Sequence, residues 1–183
     1  GTNILGYSNK QVDDAVRQVI LNGNMSTLNS KEEVLLAEKL VDIHPWSEQA
    51  RFTRTGGEAC SVAIRLARAS TNNAKIAVCG YHGWHDWYLS ANLNNTNNLN
   101  HHLMKNLNIG GVPKFMKNSC FSFNYNDFQS FLKIVNKNKL AAVIMEVSRL
   151  QKPQKKFLLK IKKICNEKGI VLIFDECTSG FRE

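Results

Sequence analysis

A run of five apolar residues, 170–174, leads directly into two carboxylates, Asp175 and Glu176, near the end of the chain. Because Gly169 precedes it, this run predicts a β-strand that is buried on both faces, as in a parallel sheet. Ligands of open α/β sheets bind beyond the carboxyl ends of the strands, which is where Asp175 would lie. The segment therefore favours an α/β fold and marks Asp175 as a candidate functional residue.

Strand-like and helical patterns alternate along the preceding part of the chain. Further strands are predicted at 49–55, 75–79, 120–123 and 140–145. Helical periodicity predicts helices at 58–69, after a cap at Asn126, and at 154–168. Such an alternation predicts a mostly parallel sheet flanked by helices.

Two more helices are predicted before this alternation begins. Ser8 and Ser30 are each followed three residues later by Gln or Glu, which is the spacing of a capping box at the start of a helix. We therefore expect residues 1–48 to form N-terminal helices and residues 49–183 to form the alternating core.

Composition excludes disordered and fibrous proteins, since 43% of the residues are hydrophobic and 21% are charged. No run approaches the ~20 apolar residues of a membrane span. The first residues also lack the pattern of a signal peptide, so we expect a cytoplasmic protein without a membrane partner. Five scattered cysteines without a CxxC pair predict free, buried thiols.

The net charge of +9 does not by itself predict a nucleic-acid partner. Seven of the lysines lie between positions 152 and 168, mostly on the outer face of one predicted helix. A solvated helix surface accounts for them, so nucleic-acid binding is not expected. The excess of positive charge can also favour anionic small substrates.

Polar residues follow four of the predicted strands. These groups are Thr55-Gly56-Gly57, Tyr81-His82, Glu146 and Asp175. Because parallel strands end at the same edge of a sheet, we expect the four groups to meet in one crevice.

The turn Thr55-Gly56-Gly57 precedes a predicted helix. Glycines let backbone N–H groups approach an anion, and a helix N-terminus adds partial positive charge, so a phosphate would fit here. Paired glycines also serve ordinary tight turns, and this alternative stays open. Neither GxxxxGK[ST] nor GxGxxG occurs, so a nucleoside triphosphate or a Rossmann dinucleotide is not indicated.

The segment 81–86, Tyr-His-Gly-Trp-His-Asp, is dense in side chains that stack or form hydrogen bonds. It could form an aromatic wall for a flat ligand. A metal site is the alternative, with Cys79, His82, His85 and Asp86 as possible ligands. No second set of ligands with structural-zinc spacing appears, so we predict no metal. His101 and His102 are expected to be exposed loop residues in the irregular, Asn-rich segment 92–118.

Glu146 and Asp175 both end apolar strands, where an unpaired carboxylate costs several kcal/mol. A positive or proton-donating partner is therefore expected. It could be an internal arginine, namely Arg65, Arg149 or Arg182, or the protonated ring nitrogen of a bound cofactor.

Four motifs together resemble those of class III pyridoxal-phosphate aminotransferases. They are TGGEACSVAIRLARA at 55–69, YHGWHDW at 81–87, AAVIMEV at 141–147 and GIVLIFDECTSGFR at 169–182. Within that family the chain most resembles glutamate-1-semialdehyde aminomutases and related sugar aminotransferases. The resemblance implies the large domain of a type I pyridoxal-phosphate-dependent transferase, present in part.

The resemblance also implies roles for individual residues. Asp175 would pair with the pyridine nitrogen of pyridoxal phosphate, and Tyr81 and Cys177 would lie against the two faces of the ring. The remaining matches are the phosphate-binding turn at Thr55, Gly56 and Gly57, His82 after the stacking aromatic, and Glu146 on the substrate side.

The implied reaction is transfer of an amino group on a small amino or carbonyl substrate, either like glutamate 1-semialdehyde or a keto-sugar. A homodimer is implied for the full-length enzyme. The family's cofactor-bound lysine is expected beyond Glu183, together with the small domain, so we expect this chain to be inactive alone. The alternative is a non-catalytic α/β binding module derived from the same fold.

The chain departs from the family pattern at three places, and the first two favour the non-catalytic module. Val147 stands where the family has Pro, and Ser148-Arg149-Leu150-Gln151 replaces a glycine-containing loop. These two differences affect substrate positioning. Gly57 stands where many members have Thr or Ser, so one hydroxyl contact to the phosphate would be lost.

Overall fold

The computed structural model describes residues 3–23, 27–148 and 151–182. The chain divides into two compact units, Gly1–Phe52 and Thr53–Glu183. The first unit contains helices α1 (Lys10–Leu21) and α2 (Lys31–Ile43). None of the helices in the described ranges is long and apolar enough to cross a membrane.

The two N-terminal helices begin in different ways. Ser30 and Glu33 form the predicted capping box, because the Glu33 N–H donates to Ser30 Oγ and the Ser30 N–H donates to Glu33 Oε2. The prediction for α1 was wrong by one residue. Asn9 is the cap and accepts from the Val12 N–H, whereas Ser8 has a φ of +55° and precedes the cap.

The second unit is a four-stranded parallel sheet with helices, which confirms the predicted fold class. Its strands are β1 (Lys75–Cys79), β2 (Cys120–Ser122), β3 (Leu140–Glu146) and β4 (Val171–Asp175), in the order β2-β1-β3-β4. Its helices are α3 (Gly56–Thr71), the short α4 (Asp86–Leu89), α5 (Phe128–Lys137) and α6 (Phe157–Lys168). Every residue of β3 is buried, as its apolar sequence predicts.

Apolar residues pack in two clusters on the two faces of this sheet. One cluster contains Cys60, Ile64 and Ala67 of α3, together with residues of the segment 87–112. The other contains residues of α5 and α6. The sheet is thus covered on both faces, as crossover connections between parallel strands require.

Two strand predictions were wrong. No strand forms at 49–55, because Thr55 caps α3 and the Arg54 N–H donates to the Glu58 carboxylate at 2.9 Å. β4 is not buried on both faces, because it is the outermost strand of this sheet and Phe174 is 40% exposed.

The Asn-rich segment is irregular, as predicted, with short 3-10 turns at Ser90–Leu93 and Lys114–Met116. It is nevertheless anchored. The buried Asn92 side chain accepts from the Leu99 N–H at 3.0 Å, and Leu99 is fully buried in the core.

Asn126 does not cap α5. Asp127 does, by accepting from the Ser130 N–H at 3.0 Å. Asn126 has a φ of +63° and accepts instead from the Gln154 N–H at 2.9 Å. Its side chain therefore holds the connection that leads into α6, which begins at Phe157 rather than at 154.

Candidate functional site

The carboxyl ends of β1, β3 and β4 bring the predicted site residues to one edge of the sheet. Glu146 and Asp175 occupy paired positions on β3 and β4. Tyr81 and His82 follow directly after β1, the neighbour of β3 on its other side. Thr55, Gly56 and Gly57 arrive by a different route, because they begin α3, which packs on β3 and β4.

Asp175 lies at the centre of a group of hydrogen-bond donors. Its side chain is only 6% exposed, and its Oδ2 lies 2.8 Å from Nδ1 of His82. The Cys177 N–H donates to Oδ1 at 3.0 Å, and Cys60 Sγ donates to Oδ2 at 3.5 Å. Burial acts to raise the pKa of Asp175, but the bonds from His82 and Cys177 outweigh it and lower the pKa to about 2. The carboxylate is therefore ionised at neutral pH, and His82 Nδ1 is the donor.

His82 is buried and its ring packs against two aromatic side chains that also contact each other. It stacks on Trp87 at a centroid distance of 6.5 Å and meets Tyr88 edge-on at 5.8 Å. Trp87 in turn donates from Nε1 to Ser61 Oγ of α3 at 2.9 Å. The second ring nitrogen, Nε2, is buried and has no hydrogen-bond partner within the described ranges. His82 therefore links the segment after β1 with Asp175 in a fixed orientation.

The glycines of the Thr55-Gly56-Gly57 turn allow unusually close approach. A Cβ on Gly56 would lie 2.6 Å from Cys177 Sγ, and a Cβ on Gly57 would lie 2.8 Å from Nε2 of His85. Thr55 Oγ1 accepts from the Glu58 N–H at 3.1 Å, which fixes the first turn of α3. The turn thus presents a helix N-terminus without side chains beside the residues that flank Asp175.

Glu146 is buried and packs against the backbone that connects β1 with Tyr81. Gly80 has a φ of +118°, and a Cβ there would lie 2.6 Å from Glu146 Oε2. The same oxygen accepts from the Tyr81 N–H at 3.2 Å. Glycine at position 80 therefore lets the Glu146 carboxylate reach the backbone that positions Tyr81.

A cavity of about 70 Å³ opens beside Glu146. Its lining residues are Gly80, His101, His102, Leu103, Tyr125, Glu146 and Gln151. Tyr125, which lines this cavity, donates to the Val147 carbonyl. Both Gln151 and the two histidines come from irregular segments, so the sheet edge and the loops together form the cavity.

His102 corrects the prediction that both histidines of the Asn-rich segment are exposed. His101 is exposed, but His102 is half-buried, with Nδ1 3.3 Å from the Tyr88 hydroxyl and Nε2 3.3 Å from the Phe123 carbonyl. The Tyr88 hydroxyl donates to the Gly80 carbonyl at 2.9 Å. Burial lowers the pKa of His102 to about 4, so its ring is neutral at pH 7.

Within the described ranges, Asp175 is paired with a histidine and not with one of the expected arginines. His82 donates to Asp175, while Arg65 is exposed and Arg182 donates to the carbonyls of Cys177 and Gly180. Arg149 and Leu150 belong to the segment 148–151, and both lie outside the described residues.

Three of the four residues considered as alternative metal ligands were wrong. Among the described residues, the side chains that lie close enough to share a metal ion are Cys60, His82 and Asp175. Cys79, His85 and Asp86 do not belong to that group. Sequence reasoning missed Cys60 because it lies inside an ordinary helical pattern, and its position is set only when α3 packs against β4.

The cysteines are free, as predicted, and four of the five are buried. Cys177 is exposed, because it follows β4 beside the glycine turn.

Comparison with known proteins shows which family the chain matches. The family model for aminotransferase class III matches residues 1–182. The 3-aminobutyryl-CoA aminotransferase of Cloacimonas acidaminovorans is 34% identical over 191 aligned residues, which cover 100% of this chain and 42% of that protein. The glutamate-1-semialdehyde 2,1-aminomutase of Cytophaga hutchinsonii is 36% identical over 191 residues, with 100% and 43% covered.

A solved structure described as a transaminase with PLP bound has a TM-score of 0.80 and 26% sequence identity to this chain. The match covers 94% of this chain and 41% of that one. The chain therefore spans less than half the length of the proteins that it matches.

Proposed function

Because the chain belongs to the class III aminotransferase family, we propose that it forms part of an enzyme that transfers an amino group to or from a small carbonyl substrate. The relatives include both an aminotransferase and an aminomutase, so both intermolecular and intramolecular transfer are compatible with them. We further propose that residues 1–183 belong to the cofactor-binding large domain, with N-terminal helices at 1–48 and the core at 49–183. In this proposal the cofactor-bound lysine and the small domain belong to other parts of the protein.

The family and the transaminase structure indicate pyridoxal phosphate as the cofactor. The residues present fit this group in two respects. An ionised carboxylate lies buried at the sheet edge, and a helix N-terminus free of side chains lies beside it. When bound, the cofactor withdraws electrons from the carbon that carries the amino group.

With the cofactor bound, Asp175 would pair with the pyridine nitrogen and would favour its protonated form. Its low pKa keeps the carboxylate negative, so a protonated ring nitrogen is favoured beside it. His82 and the Cys177 N–H hold the carboxylate in place through both of its oxygens. We assign these two groups a positioning role.

Thr55, Gly56 and Gly57 support binding of the cofactor phosphate. Backbone N–H groups at the start of α3 and the partial positive charge of a helix N-terminus both attract an anion. Gly57 lacks a hydroxyl, so in this chain the backbone supplies more of the binding. Tyr81 and Cys177 would lie against the two faces of the ring.

Glu146 lines the cavity together with Gly80 and Tyr125, and we assign it to the substrate side. Its placement against Gly80 and the Tyr81 N–H connects substrate binding with the position of the stacking aromatic. The substrate class proposed is glutamate 1-semialdehyde or a keto-sugar. A homodimer and a cytoplasmic location are further parts of the proposal.

The observation that carries the proposal is the buried, ionised Asp175 at the end of β4, beside the open start of α3. Its test is binding of pyridoxal phosphate to the 183-residue chain, measured by equilibrium dialysis and by quenching of tryptophan fluorescence. We expect Asp175→Asn to weaken binding at least about tenfold, which corresponds to ~1.4 kcal/mol. Asp86→Asn is the matched control, because Asp86 is exposed and lies outside the site.

Activity is tested in the longest reading frame that contains residues 1–183. Glutamate 1-semialdehyde and a set of keto-sugars with an amino donor are the substrates. Conversion that Asp175→Asn lowers at least about 100-fold, or ~2.7 kcal/mol, would support the proposed enzyme. Cofactor binding without any conversion would favour the non-catalytic module, for which Val147 is the sequence observation. Equal cofactor affinity in Asp175→Asn and the unsubstituted chain would contradict the assigned role of Asp175.

A further inference from the structure

Two side chains of different chemistry, those of Cys60 and His82, converge on one oxygen of Asp175. Cys60 Sγ lies 3.5 Å from Oδ2, and His82 Nδ1 lies 2.8 Å from the same atom. All three candidate ligand atoms lie within 4.8 Å of one another. We propose that the cofactor-free chain binds one Zn²⁺ ion at Cys60, His82 and Asp175, and that the ion competes with the cofactor ring for Asp175.

The donor set suits zinc. Zn²⁺ accepts thiolate sulfur, imidazole nitrogen and carboxylate oxygen together, and three protein ligands with an open fourth position are typical of its reactive sites. Tetrahedral coordination at ordinary zinc bond lengths places neighbouring ligand atoms roughly 3.3 to 3.7 Å apart. The distance between sulfur and oxygen already lies in that range, whereas the histidine and carboxylate must separate by about half an ångström.

The three ligands come from separate, well-packed elements. Cys60 lies on α3 and is 6% exposed, and His82 follows β1 with its ring packed against Trp87 and Tyr88. Asp175 ends β4, against which α3 packs. The site therefore requires small movements of side chains but no rearrangement of the sheet.

Charge balance also favours a divalent ion. One thiolate, one carboxylate and a neutral imidazole give a site of zero net charge with Zn²⁺, so the metal-bound form buries no uncompensated charge. The Cys60 thiol releases its proton to solvent on binding, as expected for a metal–thiolate site.

His82 can bind the metal as a neutral ring by changing its tautomer. Nδ1 must lose its hydrogen to bind the metal, and the neutral ring then carries that hydrogen on Nε2. Nε2 is buried and has no hydrogen-bond partner within the described ranges. The metal-bound form thus keeps the ring neutral, at the cost of a buried N–H that has no acceptor within the described ranges.

Metal binding is tested on the 183-residue chain without cofactor. Equilibrium dialysis against Zn²⁺ is expected to give one ion per chain, and Co²⁺ as a spectroscopic probe is expected to give a sulfur-to-cobalt charge-transfer band. Cys60→Ser should weaken binding at least tenfold and remove the band. Cys165→Ser is the matched control, because Cys165 is also a buried thiol and lies in the cluster on the other sheet face.

Two results would overturn the metal site. One is absence of both stoichiometric Zn²⁺ and the cobalt band in the unsubstituted chain. This result does not depend on whether any variant folds. The other is equal metal affinity in Cys60→Ser and Cys165→Ser when circular dichroism shows both to be folded. If Cys60→Ser does not fold, Asp175→Asn replaces it, with at least tenfold weaker binding expected and unchanged affinity overturning the site.

Competition with the cofactor rests on the proposed function, whereas metal binding does not. Saturating Zn²⁺ should weaken the apparent affinity for pyridoxal phosphate at least tenfold, and a chelator should restore it. If zinc binds and pyridoxal phosphate does not bind even without zinc, the proposed function fails while the metal site stands. If both bind independently, the competition is wrong and the proposed function stands.

Discussion

Nδ1 of His82 lies 2.8 Å from Oδ2 of Asp175, although the two residues are 93 positions apart in the chain. The contact joins the segment after β1 to the end of β4, two strands that are separated in the sheet by β3. It also keeps a largely buried carboxylate ionised. The same contact thus stabilises the fold across the sheet edge and prepares the group that the proposed cofactor needs.

Asp175→Asn should lower stability most at neutral pH. The pKa of Asp175 falls from its ordinary 3.8 in the unfolded chain to about 2 in the folded one. A lowered carboxyl pKa stabilises the folded state above the unfolded pKa, and this stabilisation, about 2 kcal/mol here, is lost as the pH falls from about 4 to about 2. Urea unfolding of both proteins should therefore show a difference at neutral pH that narrows below about pH 4.

Asp86→Asn provides the control for this pH dependence. Asp86 is exposed in the first turn of the short α4. Its substitution should change the free energy of unfolding by less than about 1 kcal/mol, without the same narrowing at low pH. A difference between the original chain and Asp175→Asn that stays constant down to about pH 2 would contradict the assigned pKa.

The sheet and the pairing of its two carboxylates were predictable from the sequence. Uninterrupted apolar runs are typical of buried parallel strands, and β3 has such a run before Glu146. Because parallel strands end at one edge, Glu146 and Asp175 could be expected to be neighbours, and they are paired in register. These features depend on local periodicity and a general rule of topology.

The partner of Asp175 was not predictable in the same way. Whether a buried carboxylate meets an arginine, a histidine or a thiol depends on the rotation of α3 and on the backbone after β1. Cys60 occupies an ordinary position in a helical pattern, and nothing in its sequence neighbours indicates that it faces β4. The error at 49–55 has a related cause, since Thr55 has strand propensity but its hydroxyl caps α3.

His102 predicts a second pH dependence in a separate range. Burial lowers the pKa of His102 from 6.5 to about 4, so the unfolded chain binds a proton that the folded chain excludes. His102 therefore does not affect the free energy of unfolding above about pH 6.5. As the pH is lowered from about 6.5 to about 4, the free energy of unfolding should fall by on the order of 1–3 kcal/mol. His102→Gln should flatten that part of the urea-unfolding profile.

His101→Gln is the adjacent control for His102. His101 is exposed, so its substitution should leave the slope between about pH 6.5 and pH 4 unchanged. The burial of His102 would be refuted if the two variants had the same pH profile.

Gly80→Ala should destabilise the chain by more than the strain of its backbone alone. A Cβ at position 80 would meet the Glu146 carboxylate at 2.6 Å, and the φ of +118° is itself unfavourable for alanine. Gly111→Ala is the control, because Gly111 has a φ of +89° and no atom within 4 Å of the added Cβ. We expect each substitution to cost about 1–3 kcal/mol from strain, with a further 1 kcal/mol or more for Gly80→Ala. Equal losses in thermal or urea unfolding would show that Glu146 does not pack on Gly80.

Gly56 and Cys177 should show strong energetic coupling. A Cβ on Gly56 would lie 2.6 Å from Cys177 Sγ, and the next nearest atom, Cys177 Cβ, is 3.9 Å away. Gly56→Ala should therefore destabilise the original chain. In a Cys177→Ala background the sulfur is gone, and the same substitution should be neutral or stabilising by up to about 1 kcal/mol, because alanine favours the helix.

Urea unfolding of the four proteins should give a coupling free energy of about 1–3 kcal/mol. A coupling below about 0.5 kcal/mol would mean that the Cys177 side chain does not lie over the start of α3.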